Sequence, residues 1–193
     1  MNTNVLRRAG VAAVALGAAL GTAAAAENPA GQLTQAGASV VVYRGPQVDV
    51  VVSDRFARSD PEGKWLILDT EMTAASDPVE IPRTAIAVRT PDGTVVPLAT
   101  QAEFERHYPQ LVSTLMRARV AREPIGYLAP QPPRFLRLFA PHGIGIVWDS
   151  AWLDGFHNSF GRLYFDLPGG VQRGRYELLI RLPRDEVVIP FTV

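Results

Sequence analysis

His142, Asp149, Asp154 and His157 fall within sixteen consecutive positions and carry the nitrogen and oxygen donors that a divalent metal takes. Gathered by a loop, they would make the centre of a metal-dependent hydrolase. Their spacing follows no established ligand pattern, however, and loop histidines with turn-capping aspartates account for them without a metal. Asp149, His157 and Ser150 or Ser159 also supply the side-chain types of a hydrolytic triad. Nothing beside them provides an oxyanion hole or a strained nucleophile turn. The chain contains no G-x-S-x-G, H-E-x-x-H, Walker or G-x-G-x-x-G pattern, and its lack of cysteine removes any thiol nucleophile or thiolate metal site. Gly143-Ile144-Gly145 is a G-x-G fragment with no helix after it to receive a phosphate. No catalytic residue, metal or cofactor is assigned, and enzymatic activity is not expected.

The residues better suited to function are aromatic. Trp148, Trp152, Phe156 and Phe160 recur at every fourth position, with Asp149, Asp154, His157 and Asn158 among them. That spacing predicts one side of a helical turn, although Gly155 works against a long regular helix. Exposed, such rings form a platform for sugars or for a protein partner, since they offer wide, rigid contact area. Buried, they would plug the open end of a sandwich beneath a helix, which is the more ordinary use of large aromatics. The candidate ligand-binding residues are Trp148, Trp152, Phe156 and His157, joined by Tyr108 on a predicted helix. His107, beside Tyr108, reads as a surface or boundary residue.

The elements that must position these groups are mostly strands. Ser39 to Tyr43 is β-rich, and Val48, Val50 and Val52 alternate with Asp49, Val51 and Ser53, a period of two. Lys64 to Thr73 sets Leu66, Leu68, Thr70 and Met72 on one face and Trp65, Ile67, Asp69 and Glu71 on the other. Both faces begin apolar, so something must cover Trp65. Arg83 to Thr90 and Thr94 to Leu98 flank Pro91-Asp92-Gly93, a hairpin turn. Thr100-Gln101-Ala102-Glu103 then has the form of a capping box and predicts a helix start, with Phe104, Tyr108, Leu111 and Leu115 as its core-facing stripe. Pro109 predicts a kink or a second helical segment. Pro124 to Pro141 is proline-rich connector, with an edge strand predicted at Phe135 to Phe139 and another strand at Ile144 to Trp148. The last third alternates cleanly: Leu163, Phe165 and Leu167, then Tyr176, Leu178, Ile180 and Leu182, then Val187, Ile189, Phe191 and Val193. Three antiparallel strands with turn signals at short spacing predict a sandwich.

Gly174-Arg175-Tyr176 followed by Leu178 resembles the tyrosine-corner strand of immunoglobulin-like domains, and Trp65 resembles their core tryptophan. With no cysteine pair, antibody domains proper are excluded. Val48-Asp49-Val50, Lys64-Trp65-Leu66-Ile67-Leu68-Asp69 and Arg83 to Leu98 are similar to the small secreted immunoglobulin-like antigens of mycobacteria and related bacterial extracytoplasmic domains. That resemblance, covering about a quarter of the chain, implies an adhesive or binding role. The fold expected is a mostly β, immunoglobulin-like antiparallel β-sandwich with a helical and aromatic insertion at about 100–160.

Arg7 and Arg8, the small apolar run Ala9 to Leu20, and Ala24-Ala25-Ala26 form the three parts of a secretory signal peptide. The reading is a signal peptide at 1–26, a flexible lead-in at 27–38 and a single domain at 39–193 in the periplasm or secreted, exported by the general or the twin-arginine route. Without Arg7 and Arg8 the 19 basic side chains become 17 against 19 acidic, a formal charge of −2, and no nucleic-acid or anionic-membrane partner is implied. No stable membrane insertion is expected after cleavage. The leading expectation is a non-enzymatic domain that binds a protein or cell-envelope component through residues 100–160. A carbohydrate-binding module is the first alternative, and the metal-dependent hydrolase the second.

Overall fold

The computed structural model describes residues 31–60, 63–121 and 124–193. The expected signal peptide and the first residues of the lead-in lie outside the described residues. The chain forms β1 (Gln32–Gln35), β2 (Val40–Arg44), β3 (Val48–Ser53), α1 (Arg55–Ser59), β4 (Trp65–Ala74), β5 (Val79–Pro82), a 3-10 turn (Arg83–Ala85), β6 (Ile86–Arg89), β7 (Val95–Pro97), α2 (Gln101–Val120), β8 (Pro133–Phe135), β9 (Ser150–Leu153), β10 (Asn158–Asp166), β11 (Arg175–Arg181) and β12 (Glu186–Thr192). With 42% strand against 18% helix, the class is mostly β.

Two larger sheets and a ribbon organise these strands. One has the order β1-β2-β3-β4-β10-β8, the other β12-β11-β6-β7, and β5 pairs with β9 alone. All pairings are antiparallel except β8 on β10, which is parallel. Alternation decides what each strand buries. Val50, Val52, Leu66, Leu68, Leu163 and Phe165 of the first sheet share one core with Ile86, Val88, Tyr176, Leu178, Ile180 and Ile189 of the second. Each such side chain fully withdrawn from water is worth about 1.5–3 kcal/mol, which lets a cysteine-free chain hold together. The Tyr176 hydroxyl donates to the Gln172 carbonyl at 3.0 Å and accepts from its N–H at 2.8 Å, closing the corner before β11.

The outer face of the six-stranded sheet is covered in two places. Over Trp65, Ile67 and Tyr164 lies α2, whose Phe104, Leu111 and Ala118 recur every seven residues and are buried. Trp65 therefore packs under the helix, outside the core shared by the two sheets. Thr100 caps α2 by accepting from the Glu103 N–H at 3.1 Å, while the Glu103 carboxylate accepts from the Thr100 N–H at 2.8 Å. The helix runs from Gln101 to Val120 as one segment through Pro109, so no second segment begins there. Pro109 is exposed, so the carbonyl left without a donor one turn back lies on the outer side of the helix. Ile125 and Leu128 cover the rest of the face, over Val40, Val42 and Val51. Beneath them the buried Glu71 carboxylate accepts from the Tyr127 N–H at 3.2 Å.

Three boundaries differ from expectation. β1 falls inside the lead-in expected to be flexible; its residues are exposed, so only backbone pairing with β2 makes it a strand and no hydrophobic period marks it. The edge strand is Pro133–Phe135 and not Phe135 to Phe139: the Leu136 N–H gives the last ladder bond, to the Phe160 carbonyl, and the chain from Leu136 onward is no longer strand. Ile144 to Trp148 is not a strand. Gly143 and Gly145, at φ of +73° and +85°, put left-handed turns where an extended run would need ordinary backbone.

Candidate functional site

Trp152 lies on β9, opposite Glu80 of β5. Its strand neighbours Ala151 and Leu153 are buried, so alternation sends the indole outward and leaves it 51% exposed. This corrects the helical reading of the aromatic segment: a spacing of four is also an even spacing, and it serves a strand equally well. Trp148 precedes the strand at 46% exposed, and Phe156 follows it at 77%. Phe160 is on β10, half-buried beside the 125–128 cover. The rings do not plug the end of the sandwich.

Between Trp152 and β10 the chain reverses through Asp154 and Gly155. The Asp154 carboxylate accepts from the Phe156 N–H at 3.1 Å, and Gly155 adopts φ +46° with the Ala74 carbonyl 3.2 Å from where a Cβ would stand. The same carboxylate lies 3.0 Å from His157 Nδ1 and 2.8 Å from the Arg134 guanidinium. His157, when protonated at Nδ1, donates to Asp154. Burial pushes the Asp154 carboxyl up, but His157, the Phe156 N–H and Arg134 outweigh it and hold it below the usual carboxylate value. A carboxylate so occupied is a structural anchor for the turn, with little basicity left for proton transfer.

The other histidine and aspartate of the sequence cluster lie elsewhere. His142 is exposed and 3.7 Å from Glu105, while Asp149 is 97% exposed and 3.7 Å from Arg83 Nε. Among the described residues no three His, Asp or Glu side chains gather where a metal ion could sit. The proposed triad members likewise take separate partners, Asp149 with Arg83 and His157 with Asp154.

Arg83, which sequence reasoning passed over, fixes the whole region. Its guanidinium is buried and donates to the carbonyls of Ala99 at 3.2 Å, Trp148 at 3.2 Å and Leu138. It also lies over the Phe139 ring, 4.7 Å from the centroid. Burial lowers its pKa, and Asp149 only partly offsets that. One side chain thus ties the entrance of α2, the 134–141 segment and the approach to β9 to the interior. The signal was absent from the sequence because its partners are backbone carbonyls, which any residue supplies.

Tyr108 belongs to a different place. It stands on α2 in ring contact with Phe104 at 5.7 Å and lines a groove of about 310 Å³ between α2 and the 139–141 segment. A second groove of about 460 Å³ continues past Phe135, Leu136 and Phe160, and Arg119, Phe139, Arg162 and Tyr164 line both. Neither tryptophan nor Phe156 contributes to them. Arg162 donates to Asp69 at 2.9 Å and to the Ala118 carbonyl at 2.8 Å. No described helix is long and apolar enough to cross a membrane. Comparison with protein-family models, with curated proteins and with solved structures finds no match for this chain.

Proposed function

We propose that this protein is a non-enzymatic binding domain that acts outside the cytoplasm, in the periplasm or secreted, and holds a protein or cell-envelope component through residues 100–160. The observation that carries the reading is where apolar surface is left open. Among the described residues, ten of the twelve large hydrophobic side chains that stand exposed lie in that region, Leu33 and Val95 being the exceptions. Scattered single exposures need no explanation, but their concentration within one inserted stretch of sequence supports a binding role for it. Arg83 supports the reading further, because it ties the carbonyls of Leu138 and Trp148 within the segment to the interior, and pre-ordered backbone lowers the cost of binding. The expected export rests on the residues Arg7 to Ala26. The sandwich we read as immunoglobulin-like on the Tyr176 corner, with Trp65 set under α2 as its departure from antibody-like domains.

The test is retention of partners from an envelope extract by the unaltered protein and by a variant carrying Trp148→Ser, Trp152→Ser and Phe156→Ser. All three side chains are exposed, so the variant keeps its fold. Loss of retained species is expected, and equal recovery by both proteins overturns the proposal. A carbohydrate platform is favoured by one observation, two half-exposed tryptophans of which Trp152 stands on the strand that runs into the polar Arg134, Asp154 and His157 cluster. Binding of envelope polysaccharide that the same variant abolishes would decide for it.

A further inference from the structure

The groove beside Tyr108 differs in chemistry from the aromatic ribbon. One wall is α2, where Tyr108, Val112 and Met116 lie one turn apart on a shoulder next to the buried stripe. Val112 and Met116 are exposed, so no other part of the described chain covers that shoulder. The opposite wall is Phe139 with Pro141, and the floor is Tyr164 and Arg162 of β10. At about 310 and 460 Å³, the two adjoining grooves are each within the range of small-molecule sites. Where they meet, the charges are unbalanced. Arg162 is neutralised by Asp69 at 2.9 Å, whereas Arg119 is exposed and has no ion-pair partner among the described residues.

We propose that this groove binds a single-chain amphiphile with a monoanionic head, a long-chain fatty carboxylate. The Arg119 guanidinium, without an ion-pair partner among the described residues, matches one negative charge, and its planar fork matches a carboxylate through two parallel N–H to oxygen bonds. The apolar chain then lies along Val112, Met116 and Phe139, which lose contact with water as it seats. The phenol groups of Tyr108 and Tyr164 border the same site and leave its walls amphipathic. This site is separate from the Trp148 and Trp152 surface, so either can fail without the other.

The experiment is equilibrium binding of palmitate to the folded protein by displacement of a fluorescent fatty acid, in parallel with its uncharged methyl ester. Saturable binding with one site is expected. The ester, and the variant Arg119→Gln with palmitate, should each bind roughly ten- to hundredfold more weakly, the loss of a charge-assisted pair. Met116→Glu, at an exposed position, should abolish binding while the circular dichroism spectrum is unchanged. Trp152→Ser should leave binding as it is, which separates this site from the aromatic one. No saturable binding, or equal affinity for palmitate and its ester, overturns the proposal, as does an affinity untouched by Arg119→Gln.

Discussion

The buried guanidinium of Arg83 holds the carbonyl of Trp148 at 3.2 Å while the indole of the same residue stands 46% exposed. Trp148 is thereby anchored through its backbone while its side chain stands in water. Replacing Arg83 by Met leaves the carbonyls of Ala99, Leu138 and Trp148 without their donor in a largely dry setting. A loss of about 2–4 kcal/mol is expected. Asp149, almost wholly in water, contributes little to the same guanidinium, so Asp149→Asn should change stability by no more than about 0.5 kcal/mol. Urea denaturation of the two variants checks both values, and comparable losses would mean that the ion pair, not the carbonyl ties, is what matters.

The three tryptophans should separate sharply. Trp65 is buried between β4 and α2, in contact with the His107 ring at a centroid distance of 5.7 Å. Trp65→Ala removes the floor under the helix and is expected to cost about 3–5 kcal/mol. Trp148→Ala and Trp152→Ala delete side chains already half in water, and each should cost about 1 kcal/mol or less. Acrylamide quenching gives an independent reading: two accessible indoles and one protected one are expected, and each single variant identifies its own component.

What could be read from the residues was whatever a period or a local cap determines. Leu163, Phe165, Tyr176 and Ile180 face the shared core because alternation allows nothing else for a half-buried strand, and Thr100 with Glu103 starts α2 because the capping box is a local device. The need for a cover over Trp65 was legible for the same reason, since both faces of β4 begin apolar. Features that depend on distant chain were not legible. β1 carries no buried residue and exists only because β2 offers it a backbone edge. Trp152 hides its strand because an exposed tryptophan breaks the polar half of the alternation. The groove leaves no local pattern because Arg119 and Phe139, twenty positions apart, come together only once α2 and the 134–141 segment have packed against β10.

Glu71 gives stability a pH dependence of definite sign. Burial pushes its carboxyl above the usual value, against the pull of the Tyr127 and Leu128 N–H groups and of Arg44. The native state therefore binds this proton more tightly than the unfolded chain does. The contribution is fully present below the ordinary glutamate pKa and is lost as pH rises through the folded value, at no more than about 1.4 kcal/mol per pH unit for one proton. Asp54, which burial also raises, acts in the same direction. The difference between the unaltered protein and Glu71→Gln isolates Glu71. Urea midpoints should fall more steeply with rising pH, from the glutamate range towards neutrality, in the unaltered protein. Parallel profiles would show that Glu71 ionises as freely when folded as when unfolded.

Tyr176 allows hydrogen bonding to be separated from packing at one residue. Its ring stacks on Phe191 at 5.5 Å with planes 16° apart, and its hydroxyl makes two hydrogen bonds to the backbone of Gln172. Tyr176→Phe keeps the ring and the stack but strips the hydroxyl, leaving the N–H and carbonyl of Gln172 to find water at a partly covered corner. A cost of about 1–2 kcal/mol is expected. Tyr176→Ala also empties the space beneath the corner and should cost about 3–5 kcal/mol. The denaturant dependence should stay the same in the Phe variant, since the surface exposed on unfolding barely changes. A Phe variant as stable as the parent would mean that the Gln172 groups are satisfied without Tyr176, and that the corner is held by the stack on Phe191 alone.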